Sequence, residues 1–195
     1  MTEINDGPSE TNDGPRFNAL RNSIYHTARR EYYDTLNRLF NFVVIILGAG
    51  VAGKASKLFH VEELWLEFGV LIFATAQLTF DFGSKARTHE FLQRKYYDIL
   101  ADIELELEVN PAKWNSKLHT IAGEEPMPMR ALDALAYNAA LDATTSDPEI
   151  KRENRLRVPF CHRLFRHFIA RDGYEYRLES EPISLWQRFL SCFKS

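Results

Sequence analysis

Two apolar stretches decide the fold: residues 39–53 read LFNFVVIILGAGVAG, and residues 64–82 read LWLEFGVLIFATAQLTFDF. The first is fifteen residues without a charge, and the second contains thirteen uncharged residues between Glu67 and Asp81. Nothing later in the 195-residue chain is comparably apolar. The pattern predicts either a hairpin of two membrane-spanning helices or a strand followed by a glycine-rich turn.

The strand interpretation depends on residues 48–53, which match G-x-G-x-x-G directly after the run FVVIIL. That motif marks a dinucleotide-binding unit where a strand precedes it, a helix follows it and further strands complete a parallel sheet. Glu67 lies near the distance expected for a ribose-binding acid, but no alternating series of strands and helices follows. A soluble FAD- or NAD-binding protein is therefore the alternative prediction.

The membrane interpretation needs about 20 apolar residues for each span. Extending the two runs to residues 35–55 and 63–83 supplies that length. Arg38 can reach the headgroups from inside its span, and Tyr33 and Trp65 lie where interfacial aromatic residues are expected. We therefore favour a transmembrane helical hairpin.

The charges around the hairpin predict its orientation. The connecting loop carries only two lysines, together with two glutamates, whereas basic residues are numerous just outside the hairpin. These are Arg21, Arg29, Arg30, Arg38, Lys85, Arg87, Arg94 and Lys95. The positive-inside rule then places both termini in the cytoplasm.

The rest of the chain predicts helices, so the expected fold class is all-α. Residues 1–16 are rich in Gly, Pro, Asn and Asp and predict a disordered tail. Residues 17–109 form the two-span module, because amphipathic helices flank the hairpin on both sides. Residues 110–195 predict a cytoplasmic helical regulatory region, in which Asp147 caps a helix. Further predictions there are helices over 130–143, 148–157, 159–171 and from 184, and a short strand over 174–178.

The two-span module resembles the SLATT proteins, which are two-span effectors of bacterial nucleotide second-messenger defence systems. The resemblance covers residues 18–108 and rests on the amphipathic first helix, the closely spaced spans with GAGVAG, and the helix RKYYDILADIE at residues 94–104. It implies a homo-oligomeric pore in the bacterial inner membrane that acts in anti-phage defence. It also implies control by a nucleotide or oligonucleotide that a partner nucleotidyltransferase makes.

The first span carries one stripe of polar and small residues: Asn37, Asn41, Gly48 and Ala52. Asparagine in a span is costly unless it meets a partner helix or water, so the stripe is a candidate pore lining. Small residues also permit close helix packing, which is the alternative role.

The second span carries Glu67, Gln77 and Asp81. Glu67 and Asp81 lie near its two ends, where charges reach water, and at a pore mouth they would favour cations. A non-conducting membrane anchor or scaffold is a further alternative.

Charge is distributed unevenly over the C-terminal half. Residues 98–149 carry eleven acids against three bases, whereas residues 151–177 carry eight bases against three acids. Bases interleaved with aromatic residues are typical of single-strand nucleic acid sites, so this segment predicts a nucleotide-phosphate site. The candidate residues are Arg155, Arg163, Arg166, His167 and Arg171. Pairing with the acidic region or with anionic lipid is the alternative.

No enzyme is predicted, because no catalytic constellation is present in the sequence. The six histidines lack the spacing of metal ligands, and no metal or cofactor is predicted. Cys161 and Cys192 follow no framework pattern, which predicts a reducing compartment without a disulfide.

Overall fold

The computed structural model describes residues 14–52 and 63–182, and its regular elements in those ranges are helices. They are α1 Pro15–Ala52, α2 Glu63–Phe80, α3 Phe82–Leu105, α4 Pro111–Ala122, α5 Arg130–Thr144, α6 Pro148–Asn154 and α7 Phe160–Leu164. The predicted all-α class is confirmed for this part of the chain. Most of the predicted tail, the loop between the spans and the predicted last helix lie outside the described residues.

Helix α1 runs without a break through the amphipathic and apolar segments predicted before it. The run FVVIIL and the glycines Gly48 and Gly50 are therefore helical. The strand and turn that a dinucleotide-binding unit requires are not formed at these positions. Glycine and alanine are common in membrane helices, so the residues of the motif are compatible with a helix here.

The chain divides into two compact units. The hairpin unit is Thr27–Glu90, and the helical unit combines Met1–His26 with Phe91–Ser195. Helices α1 and α3 each contribute residues to both units.

The core of the helical unit forms where α3 and α4 bury large side chains. Tyr96, Leu92 and Trp114 are all at most 1% exposed. Apolar burial of this kind contributes about 1.5–3 kcal/mol for each large side chain. Helix α5 adds an alanine-rich face, and Asp133 on that helix accepts a hydrogen bond from Arg21 Nε at 2.8 Å.

The segment after α5 is attached to that helix by one buried side chain. Asn138 donates from Nδ2 to the carbonyl of Leu156 and accepts from the Leu156 amide, both at 2.8 Å. The opposite edge of Leu156 forms one antiparallel bridge with Leu178. The strand predicted over residues 174–178 is thus reduced to a single bridge at Leu178.

Two predicted helices are shorter than expected. Asp147 caps α6 as predicted, accepting from the Glu149 amide at 2.8 Å, but the helix ends at Asn154. Helix α7 ends at Leu164 instead of continuing to residue 171. The carbonyl of Ala170 accepts from the Arg130 amide at 3.1 Å, which holds this backbone against the start of α5.

Candidate functional site

The hairpin unit exposes its apolar side chains. Ile45 is 67% exposed and Leu78 is 84% exposed. Two helices are long and apolar enough to cross a membrane, and none of the apolar window in either is buried inside the protein. The core helix of a soluble protein would bury such a face, so the exposure agrees with the membrane interpretation.

Two of the predicted span residues meet across the hairpin. Gln77 Nε2 donates to Asn41 Oδ1 at 2.7 Å. Within the described chain, this is the hydrogen bond that the Asn41 side chain makes, so its Nδ2 group donates to no protein atom there. The pair therefore joins the two apolar helices and still offers a donor and an acceptor to water or to another subunit.

The glycines of the hairpin differ in what surrounds them. A Cβ on Gly69 would lie 3.1 Å from Leu47 Cδ1, and one on Gly50 would lie 3.6 Å from Leu66 Cδ1. A Cβ on Gly48 would meet no described atom within 4 Å. Close packing inside the hairpin thus occurs at Gly69, whereas Gly48 leaves an open surface. Ala52 is the last member of the predicted stripe, and its side chain is not among those that the structure describes.

The charged candidates of the second span are both exposed. Asp81 breaks the predicted span of residues 63–83 into α2 and α3, since it adopts a positive φ of 41°. Its Oδ1 accepts from the Ser84 amide at 3.1 Å and so caps the start of α3. Asp81 thus has a local structural role, whereas Glu67 makes no hydrogen bond or ion pair among the described residues. The remaining candidate, Asn37, lies beside Gly83: its Oδ1 is 3.7 Å from the ideal Cβ position there.

Aromatic rings surround the break at Asp81. Phe82 contacts Phe40 at a centroid distance of 5.0 Å and Phe80 at 5.6 Å, and Phe40 contacts Phe73 at 5.6 Å. Aromatic pairs of this geometry stabilise by about 0.5–1.5 kcal/mol beyond their buried area. They fix the hairpin at the end where Asn41 and Gln77 meet.

Each unit contains one histidine–tyrosine stack that sequence reasoning missed. In the helical unit His26 stacks on Tyr96 at 5.6 Å and 12°, and in the hairpin unit Tyr33 stacks on His89 at 5.6 Å and 13°. Each histidine lies seven residues before the tyrosine of the other stack. The sequence signal for these stacks is the repeated spacing, together with the similar segments REYYDTL and RKYYDIL.

The stack in the helical unit is joined to a carboxylate. His26 Nε2 lies 3.1 Å from Glu125 Oε1, and Tyr96 donates its hydroxyl hydrogen to the same oxygen. Burial and the hydrogen bond to Glu125 hold the pKa of the Tyr96 phenol far above its usual value. The Tyr96 hydroxyl therefore stays protonated and donates a hydrogen bond. The cluster of His26, Tyr96 and Glu125 connects α1 to α3 and to the segment after α4.

The five predicted phosphate residues do not form one exposed set. Arg155 makes two hydrogen bonds to Asp142, at 2.7 and 3.0 Å, and these lower the pKa of the carboxyl group. Arg171 is only 8% exposed. Arg166 Nε lies 3.1 Å from His167 Nε2, so these two are adjacent, and Arg163 is exposed. Pairing with the acidic region, the alternative considered for this segment, thus describes Arg155.

A cavity of about 350 Å³, outside the predicted set of five residues, is lined by basic and aromatic side chains. Arg130 lines it together with Tyr174 and Tyr176, whose rings contact each other at 4.8 Å. Burial raises the pKa of Tyr176 to about 12, so its hydroxyl stays protonated. Asp133 and Glu175 also line the cavity, and their charges balance those of Arg21 and Arg130.

Cys161 in α7 is disulfide-bonded, so the prediction of two cysteines without a disulfide is wrong. The other cysteine, Cys192, lies outside the described residues. Spacing along the chain carries no information on how close two thiols come, which is why the pattern misled.

Comparison with protein-family models, with curated proteins and with solved structures gives no significant match. In the described residues, no group of three His, Cys, Asp or Glu side chains has the geometry to hold a metal ion. The class that the fold and the hairpin define is an all-α protein with two helices able to span a membrane.

Proposed function

We propose that this chain is a membrane effector whose hairpins assemble into a homo-oligomeric pore. The observation that supports the proposal is the hydrogen bond between the Asn41 and Gln77 amides, in which Asn41 Nδ2 and Gln77 Oε1 have no protein partner among the described residues. An amide group that faces hydrocarbon without a partner costs several kcal/mol. Asn41 is exposed on α1, so water in a pore or a neighbouring subunit would remove that cost.

Gly48 supports the same proposal from a neighbouring position. It lies two turns beyond Asn41 and has open space where a Cβ would stand. Small residues at open positions let another helix approach closely in a membrane. A second copy of the hairpin would use this surface without disturbing the contacts at Gly69 inside the hairpin.

Control of the pore by a nucleotide, and a part in anti-phage defence, stay predictions that rest on the SLATT resemblance. The cavity lined by Arg130, Tyr174 and Tyr176 suits such a ligand better than the five predicted residues do. It offers one exposed guanidinium for a phosphate and two rings for a base, beside the carboxylates of Asp133 and Glu175.

Conductance of the full-length protein in planar bilayers tests the pore. We expect wild-type protein to conduct and a Gly48→Leu variant to lose conductance and oligomers on crosslinking. Because a Cβ at this position meets no described atom of its own hairpin, the variant should keep its helicity. Ala49→Leu is the matched control, since Ala49 is exposed on a different side of α1, and it should conduct.

The outcomes separate the alternatives. Conductance that survives Gly48→Leu would contradict a packed interface at this stripe. A wild-type protein that inserts into bilayers but never conducts would favour the non-conducting anchor or scaffold.

A further inference from the structure

The segment around α7 exposes an unusual density of large apolar side chains. Phe160 is 79% exposed, Phe168 is 68% exposed and Leu164 is 59% exposed, and Phe165 and Ile169 are exposed as well. Half of the ten residues 160–169 are thus large apolar side chains in contact with solvent. Contiguous exposure of this kind marks an interaction surface, here named the 160–169 surface.

The backbone of this surface is held from its inner side. His162 is fully buried, its Nδ1 lies 2.9 Å from the Tyr176 hydroxyl oxygen, and its ring makes an edge contact with Tyr174 at 4.7 Å. The hydrogen bond from the Arg130 amide to the Ala170 carbonyl holds the far end. These two contacts hold the backbone from which the apolar side chains of the surface project.

The charge of the surface has one sign. Residues 155–171 contain five arginines and two histidines, and no aspartate or glutamate. Arg163 is exposed and makes no ion pair within the described chain. Arg166 uses Nε toward His167 and retains its other guanidinium donors. The next acids along the chain are Glu153 and Asp172.

We infer that the 160–169 surface docks on a bilayer that contains anionic lipids. Phenylalanine and aliphatic side chains enter the boundary between headgroups and acyl chains, and each arginine near an anionic surface contributes about 1 kcal/mol. A nucleic acid is the weaker occupant, because Leu164 and Ile169 offer no ring for a base to stack on. This inference rests on the proposal that the hairpin is membrane-inserted, because the hairpin and the surface belong to the same chain.

Spin-label depth measurements on the full-length protein in nanodiscs test the inference. A label is attached at Leu164 through a genetically encoded ketone side chain, and its collisions with lipid-soluble oxygen and with a water-soluble nickel chelate are compared. We expect a lipid environment in phosphatidylcholine mixed with phosphatidylglycerol, and a more aqueous one in phosphatidylcholine alone. Replacing both Arg163 and Arg166 by Gln should lower the docked-to-free ratio about 30-fold.

Control labels separate the possible failures. A label at Leu71, which is exposed on α2, reports insertion of the hairpin, and one at Glu153 should remain aqueous. Lipid contact at Leu71 with an aqueous Leu164 in both lipid mixtures would overturn this inference alone, whereas an aqueous Leu71 would overturn the inserted hairpin. Immobilisation of the Leu164 label by a short oligonucleotide, without lipid contact, would also overturn it. Arg152→Gln, outside the surface, should leave the depth at Leu164 unchanged.

Discussion

Replacing Gln77 by Ala removes the amide that joins α2 to Asn41 on α1. The bond measures 2.7 Å, at the short end of the range for N–H···O hydrogen bonds. Interhelical hydrogen bonds in membrane proteins contribute about 0.6 kcal/mol on average and at most about 1.7 kcal/mol. We expect a coupling energy of about 1 kcal/mol between Asn41 and Gln77, since the geometry is favourable and Asn41 has no second protein partner in the described chain.

A double-mutant cycle measures that energy. Asn41→Ala, Gln77→Ala and the double variant are unfolded by SDS in mixed micelles, and the helix content is followed by circular dichroism. Asn41 with Thr75 is the matched control pair, because the Thr75 side chain makes no described hydrogen bond to Asn41. Independent sites add to within about 0.3–0.5 kcal/mol, so a coupling for Asn41 and Gln77 no larger than that of the control pair would refute the contact.

Two further predictions concern the helical unit. Asn138→Ala should lower the free energy of unfolding by about 2–4 kcal/mol, because it leaves the buried amide and carbonyl of Leu156 without their partner. Thermal unfolding in detergent measures the change. As a control, Asn115→Ala removes no described hydrogen bond and should change the free energy of unfolding little. Arg155 lowers the pKa of Asp142 in the folded state, so their pairing stabilises above the ordinary aspartate value of about 3.9 and is lost as the pH falls through the lowered pKa. Both side chains are partly exposed, so the contribution is below about 1 kcal/mol. An Arg155→Gln variant should show a shallower loss of melting temperature as the pH falls from about 5 to about 3, and an acid limb identical to wild type would contradict the pairing.

The sequence predicted the helices best where pattern alone determines them. The apolar runs and the amphipathic segments before and after them indicated helices that the structure confirms in α1, α2 and α3. The break at Asp81 was missed, because a positive φ at a single aspartate leaves no periodic signal. The first span's polar stripe was recognised, but which of its residues meets Gln77 depends on the register between two helices.

The site in the C-terminal half was harder to predict because charge composition does not show pairing. Arg155 and Asp142 are thirteen residues apart, and only the fold shows that they neutralise each other. Tyr174 and Tyr176 lie beside Arg130 in the cavity, although some forty residues separate them along the chain. The histidine–tyrosine stacks had a signal in the repeated spacing, but the repeat becomes meaningful only once each histidine is seen to contact a tyrosine far away along the chain.

The capping carboxylate of Asp81 would set the depth of the hairpin in a bilayer. Shifting the hairpin by one helical turn, about 5.4 Å, would draw into hydrocarbon both this carboxylate and Lys85, whose ammonium lies over the Tyr33 ring at 5.9 Å. Toward the opposite end, near Leu64, the exposed carboxylate of Glu67 would resist the reverse shift in the same way. The two carboxylates together would hold the hairpin at one level, so a membrane of different thickness would have to adjust by tilt of the hairpin or by local thinning of the bilayer.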